Sequence, residues 1–270
     1  MEKALSAGAD AVILDLEDGV APEDKRVARA QVAAVIAGIG ADAEVELHVR
    51  VNRGPDGPDL DDLAAVTAPG LTGVRLPKVD SPDEVRAVAA ALDGLERSTD
   101  MAPGSVRLYL SIETARAALA AAELAAAPRV ARLVFGATDF LADIASPGAA
   151  DGPATVVARG ALVLASRAAG IGAPVDNVHT ALADEEGLRR GARFARELGF
   201  FGKSVIHPRQ IPAVHNVFTP TDAELADARR VLAHAEVRGD GATALDGQMI
   251  DAAVVARARR LIAITERSHG

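Results

Sequence analysis

The sequence contains no cysteine, so disulfides and thiolate metal sites are excluded. It contains no apolar run approaching the roughly 18 residues that span a membrane. No positively charged, apolar leader opens it. A cytoplasmic protein with no membrane partner is therefore the expectation. Positive charge is also in short supply. The 29 Lys and Arg stand against 38 Asp and Glu, a formal net charge of −9. That excludes nucleic acid as a general partner. An anionic substrate would need locally placed Arg or Lys, or a metal. No Gly-rich dinucleotide loop follows any strand-length apolar run, and there is no tight repeat.

What is present is a chain of 270 residues, 49% apolar. That is long enough to bury a sizeable core and suits one α/β barrel. Strand-length apolar runs fall at residues 11–16, 44–51, 73–79, 108–113, 133–139, 172–176 and 202–208. Helical stretches separate them: 22–39, 59–66, one opened by the capping box at Ser81 to Glu84, an Ala-rich one at 115–127, then 156–169 and 184–198. Strand and helix in alternation argue for a parallel sheet with crossover helices. Seven such units are one short of a (β/α)8 barrel, and the chain opens on what reads as the helix after a strand. The expected fold is thus a (β/α)8 TIM-type barrel over 1–217 with its first strand missing from this chain. A C-terminal helical appendage follows over 218–270. In it, the capping box Thr221 to Glu224, a flexible link at 238–247 and a final helix from about 252 to 265 are expected. A doubly wound sheet is the alternative.

Two of the runs end in a lone carboxylate, Glu113 and Asp139. Ligands of parallel sheets sit beyond the carboxyl ends of the strands. Two carboxylates delivered there suit a hard cation such as Mg²⁺, but each could equally cap the next helix. Glu17, Asp18, Arg50, Asn52, Lys78, Asp176 and His207 also fall where strands end. Such clustering is expected of an active face built by barrel loops. Glu17 and Asp18 read as orienting groups or strand-end caps, Lys78 as a substrate contact or a structural ion pair. Asp176 reads as a cap or orienting group, and His207, held before Pro208, as a loop-shaping residue.

Seven motifs in order carry a resemblance over essentially the whole chain. They are Asp15-Leu16-Glu17-Asp18-Gly19-Val20, Arg50-Val51-Asn52, Leu76-Pro77-Lys78-Val79, Ile112-Glu113-Thr114 and Gly136-Ala137-Thr138-Asp139. Then come the Gly199 to Lys203 stretch with Ile206-His207-Pro208-Arg209-Gln210-Ile211, and Asp246-Gly247-Gln248-Met249-Ile250-Asp251. In this the chain resembles the citrate lyase β-subunit-like family, whose wider group includes malyl-CoA and citramalyl-CoA lyases and related aldolases on (β/α)8 barrels.

The resemblance implies a Mg²⁺-dependent carbon–carbon lyase, or the reverse synthase, with Mn²⁺ as a substitute ion. Its substrate would be a 3-hydroxyacyl thioester of the malyl-CoA, citramalyl-CoA or citryl type, cleaved to an acetyl thioester and a 2-oxo acid. It implies Glu113 and Asp139 as metal ligands and Arg50 as the carboxylate-binding catalytic residue, with Asp18 beside it. Lys78, Gly136 and Ala137 would line the substrate site. Asp251 would transfer a proton, from a tail that reaches a neighbouring subunit of a homotrimer or larger assembly. The family usually begins with one more strand, which agrees with the count of seven; its N-terminal arginine has no counterpart here. The alternatives are a β subunit of a citrate lyase complex that needs an acyl-carrier partner, and a weakly active or non-catalytic barrel.

Overall fold

The computed structural model describes residues 2–40, 45–55, 57–238 and 241–267. Met1 and Glu44, read as the starts of a helix and of a strand, lie outside them, as do residues 239 and 240 of the expected link. The chain divides into two compact units, Met1–Val214 and His215–Gly270.

The first unit is built on β1 (Ala11–Asp15), β2 (Glu46–Arg50), a two-residue hairpin of β3 (Arg53–Gly54) and β4 (Gly57–Pro58), β5 (Gly73–Leu76), β6 (Arg107–Ile112), β7 (Val130–Phe135), β8 (Val175–Asp176) and β9 (Gly202–Lys203). Seven of these form one parallel sheet in the order β1-β2-β5-β6-β7-β8-β9. Each connection is a crossover containing helix, as parallel strands require. Among the described residues β1 and β9 do not pair, so the sheet keeps two edges.

The sheet is nevertheless rolled. Arg75 on β5 donates to the Ser204 hydroxyl just after β9, at 3.4 Å. Four strand spacings separate these strands, about 19 Å if the sheet were flat. Alternation then sorts the side chains. Leu14, Leu47, Val49, Val74, Leu76, Leu108 and Leu110 are buried, facing the helix layer. Asp15, Arg50, Arg75 and Tyr109 alternate with them and face the hollow of the roll. This is the TIM-barrel-like α/β fold, as a seven-stranded half-barrel.

Local structure departs from expectation where tertiary packing decides. The sixth and seventh strands keep only two ladder residues each. The segment after Lys203 turns instead: the His207 Nδ1 accepts from the Arg209 N–H at 3.1 Å and caps a 3-10 turn, Pro208–Gln210. The Ala-rich helix breaks at Ala120 into Ala115–Leu119 and Ala121–Ala125. Alanine carries no turn signal, so nothing in the sequence marks that break. Ser81 caps its helix by accepting from the Asp83 N–H, but Glu84 does not complete the box. It forks onto Arg53 instead, at 2.8 Å twice.

The second unit carries the helices Asp222–Arg238 and Ala252–Arg267. Thr221 and Glu224 exchange the two bonds of a capping box, at 2.8 and 3.2 Å. Ala228, Val231, Ile250 and Ala258 form its core. The expected flexible link is corrected here. Its end is a hairpin of β10 (Thr243–Leu245) and β11 (Gln248–Ile250). Asp246 and Gly247 both have positive φ, 50° and 81°, the signature of a type I′ turn. Asp-Gly between two apolar stretches is a hairpin signal that the sequence reading passed over.

Inside the roll, a Cβ on Gly73 would lie 2.6 Å from Tyr109 Cε2 and 2.7 Å from His48 Cδ2. Gly73→Ala is expected to destabilise the first unit by roughly 1–3 kcal/mol through overpacking, read as a lower melting temperature. An unchanged melt would show that the two rings move aside.

Candidate active site

Asp15 ends β1, and its carboxylate is held in place by the N–H groups of Glu17 at 3.0 Å and Gly19 at 2.9 Å. A Cβ on Gly19 would sit 2.4 Å from Asp15 Oδ2, so glycine permits this turn. Arg50, in register with Asp15 on the next strand, forks onto it through Nε at 2.7 Å and Nη2 at 2.6 Å. Its Nη1 faces Glu17 Oε2 at 2.9 Å. Burial opposes the charge on Arg50, but the Asp15 bonds and the nearby Glu17 and Asp18 carboxylates override it and raise its pKa. Three of the five guanidinium N–H groups face these carboxylates, and two remain.

Lys78 links this cluster to the next. Its Nζ reaches Glu17 Oε1 at 3.0 Å and Asp18 Oδ2 at 3.4 Å. Its backbone N–H donates to Glu113 Oε2 at 3.0 Å. Lys78 has φ 49°, a left-handed conformation that a lysine seldom adopts. That strain aims one residue at both carboxylate groups. Burial opposes the ammonium, but Glu17 and Asp18 raise its pKa.

Glu113 follows β6 and is 7% exposed. Burial first, then the Asp139 carboxylate and Glu17, push its pKa up to about 7, against the pull of the Lys78 N–H. A Cβ on Gly136 would overlap Glu113 Cγ at 2.3 Å, so only glycine leaves room for this carboxylate. Asp139 does not end a strand, as the sequence suggested. The strand ends at Phe135, and Asp139 lies in the first turn of the short helix Ala137–Asp143. Its charge still acts on Glu113 and helps raise that pKa, so the two carboxylates feel one another.

Asp15, Glu17, Asp18, Glu113 and Asp139 therefore stand against Arg50, Lys78 and the inward-facing Arg75, still an excess of negative charge that a divalent cation would offset. Among the described residues no group of three or more His, Asp or Glu gathers as metal ligands. Two protein carboxylates, with water and substrate completing the shell, is the pattern Mg²⁺ accepts. Glu113 and Asp139 fit that donor set.

The remaining candidates divide. Gly136 abuts Glu113, and the buried Ala137 opens the helix that carries Asp139; Asp18 is exposed and touches Lys78. Asp176 faces the helix layer: it pairs with Lys203 at 2.7 Å and Arg159 at 3.1 Å, all fully buried side chains. Its fractional exposure is zero, so it takes no part on the active face. Asp251 belongs to the second unit, where its Oδ1 accepts from the N–H groups of Ala253 and Val254 and caps the last helix. Asp15 and Arg75 were passed over as site residues. Their signal was a charged residue at inward parity within an apolar strand.

A model of the HpcH/HpaI aldolase/citrate lyase family matches residues 1–208, and one of carbon–carbon bond lyases of the TIM-barrel fold matches 158–264. The citrate lyase subunit beta of Leuconostoc mesenteroides subsp. cremoris is 35% identical over 267 residues, 97% of this chain and 87% of that protein. A (3S)-malyl-CoA thioesterase of Cereibacter sphaeroides is 35% identical over 269 residues, 98% of this chain and 90% of its own. The crystal structure of protein CitE of Mycobacterium tuberculosis, in complex with magnesium, acetoacetate and coenzyme A, superposes with a TM-score of 0.76 at 35% identity. It covers 97% of this chain and 92% of that one.

The raised pKa of Glu113 has a signed consequence. The folded state holds this proton more tightly than the unfolded chain does. The stabilisation is complete below about 4.5 and is lost as pH rises through about 7. Glu113→Gln is therefore expected to raise the melting temperature of the metal-free protein at pH 8 by a few degrees and leave it unchanged near pH 4.5. The same variant should lose any Mg²⁺-induced stabilisation. A melting temperature that falls at pH 8 would show that the ionised carboxylate is not under strain.

Proposed function

The chain belongs to the HpcH/HpaI aldolase/citrate lyase family, and from that premise we propose that it is a Mg²⁺-dependent carbon–carbon lyase. Its substrate is a 3-hydroxyacyl-CoA thioester, which it divides into acetyl-CoA and a 2-oxo acid. The observation that supports this most is the buried Glu113 carboxylate, held by the Lys78 N–H and acted on by Asp139, in a cluster with surplus negative charge. These two residues would hold the metal. When bound, it supplies Lewis-acid polarisation at the carbinol oxygen that becomes the ketone.

The rest falls to side chains. Arg50, fixed by Asp15, offers its two remaining N–H groups to a substrate carboxylate. Lys78 keeps Glu17 and Asp18 from crowding that carboxylate with unpaired charge, and its N–H orients Glu113. Gly136 and Ala137 leave backbone rather than side chain beside the reacting carbons. Cleavage removes one proton from the hydroxyl and returns one to the carbon that becomes the acetyl methyl. Asp251 is the proposed proton carrier for that carbon: Oδ1 caps the last helix, which leaves Oδ2 to act, in its own site or in a neighbour's within an oligomer.

Three measurements follow. A panel of malyl-CoA, citramalyl-CoA and citryl-CoA with Mg²⁺ should release a 2-oxo acid and acetyl-CoA from at least one member, and chelation should stop it. Thiol release without a 2-oxo acid would instead mean thioester hydrolysis; cleavage confined to acyl-carrier thioesters would mean a complex subunit. Arg50→Lys should lower kcat/KM by roughly tenfold to a hundredfold, because lysine keeps the charge but loses the fork; a change within twofold removes Arg50 from the site. Finally, inactive Glu113→Ala and Asp251→Ala subunits, dissociated and reassociated together, should regain partial activity if Asp251 serves a neighbour. No recovery in confirmed mixed oligomers places it in its own subunit's site or outside catalysis.

A further inference from the structure

Among the described residues, one cation in the hollow of the roll makes no ion pair. Arg75 sits in ladder register with Arg50 on one side and Tyr109 on the other, in the same layer as the Asp15–Arg50 fork. It faces inward, as its reach to Ser204 shows. That contact, a long 3.4 Å to a neutral hydroxyl, is its hydrogen bond. Its Nε is buried with no hydrogen-bond partner. Among the described residues no carboxylate lies within ion-pair distance of it. Tyr109 does not neutralise it: its hydroxyl donates to Glu46 at 3.0 Å, and burial holds its pKa up at about 12. Burial and the neighbouring Arg50, against the weaker pull of Tyr109 and the Glu113 carboxylate, lower the pKa of Arg75 itself to about 10, so it still carries its charge at neutral pH.

A charged group in that position costs stability unless something pairs with it. Asp15 and Glu17 are committed to Arg50 and Lys78, and Glu113 acts on Arg75 only through space, without an ion pair. The open side of the guanidinium suits an anion that arrives from outside, beside the carboxylate already assigned to Arg50. Resting on the lyase reading above, we propose that Arg75 forms a second anion subsite, which takes the distal carboxylate of a dicarboxylic 2-oxo acid portion of the substrate. It makes Arg75 a specificity-determining residue: it favours a thioester whose cleavage yields a dicarboxylic oxo acid over one that yields a monocarboxylic oxo acid.

The test measures binding apart from turnover. Malate and lactate share the α-hydroxycarboxylate that a metal site chelates and differ by the distal carboxylate. In the presence of Mg²⁺, calorimetry on the full chain should show malate binding at least tenfold tighter than lactate. Arg75→Met should abolish that preference, weakening malate by roughly tenfold to a hundredfold while lactate moves less than threefold. Arg75→Lys should restore part of it. The melting temperature of Arg75→Met should not fall, since the lost charge is unpaired. Native protein that binds the two acids equally overturns the subsite, and so does an Arg75→Met that weakens both alike. If the thioester panel is cleaved but the preference is absent or survives Arg75→Met, the subsite fails and the lyase stands. If no thioester is cleaved but the preference vanishes with Arg75, the subsite stands and the lyase reading fails.

Discussion

The fork between Asp15 and Arg50 is the interaction from which the site is built. Two neighbouring parallel strands put these residues in register, and the N–H groups of Glu17 and Gly19 fix the carboxylate before the arginine meets it. With Arg50 fixed, Glu17 has a cation on one side. Lys78 supplies the other, and through its main chain it sets Glu113. The order is therefore a relay of charge and backbone across four strand ends. Each member is oriented by the one before it, and the last is a carboxylate left uncomfortable enough to hold its proton near neutrality.

Much of the fold was legible because parallel strands are buried on both faces and announce themselves as apolar runs. All seven were readable, and their spacing by helices implied the sheet. What was not legible is where packing overrules local preference. Nothing at Ala120 says that a helix should stop there. Two residues suffice for β8 because ladders on either side hold it, and for the edge strand β9 because β8 and the buried pair of Lys203 with Asp176 hold it, not because their own side chains favour strand. The Asp246-Gly247 turn was legible in principle, since only a hairpin asks for two consecutive positive φ values.

The same division holds in the site. Glu113 and Asp139 each stand at the end of an apolar run, where a helix cap is as good a reading as a ligand, and only the order of the seven motifs favours the ligand; one turn of helix separates Asp139 from its strand. Asp15 and Arg75 were hidden by their own strands: inside an apolar run a lone charge reads as an edge, and only ladder register shows which charges share a layer. Asp176 misled for the complementary reason. Strand-end position does not say which face of the sheet a side chain takes, and one residue of parity sent it to the helix side.

That misplaced carboxylate has a consequence of its own. Arg159, Asp176 and Lys203 form a sealed cluster between sheet and helices, with the Arg159 guanidinium 5.4 Å from the ring centres of both Phe135 and Phe194. Dissolved ions cannot enter it, so it lies outside the screening that weakens exposed pairs such as Arg230 with Asp227. Brine therefore acts on this molecule unevenly. It weakens exposed pairs while β8 and β9, the shortest strands of the parallel sheet, stay pinned from behind.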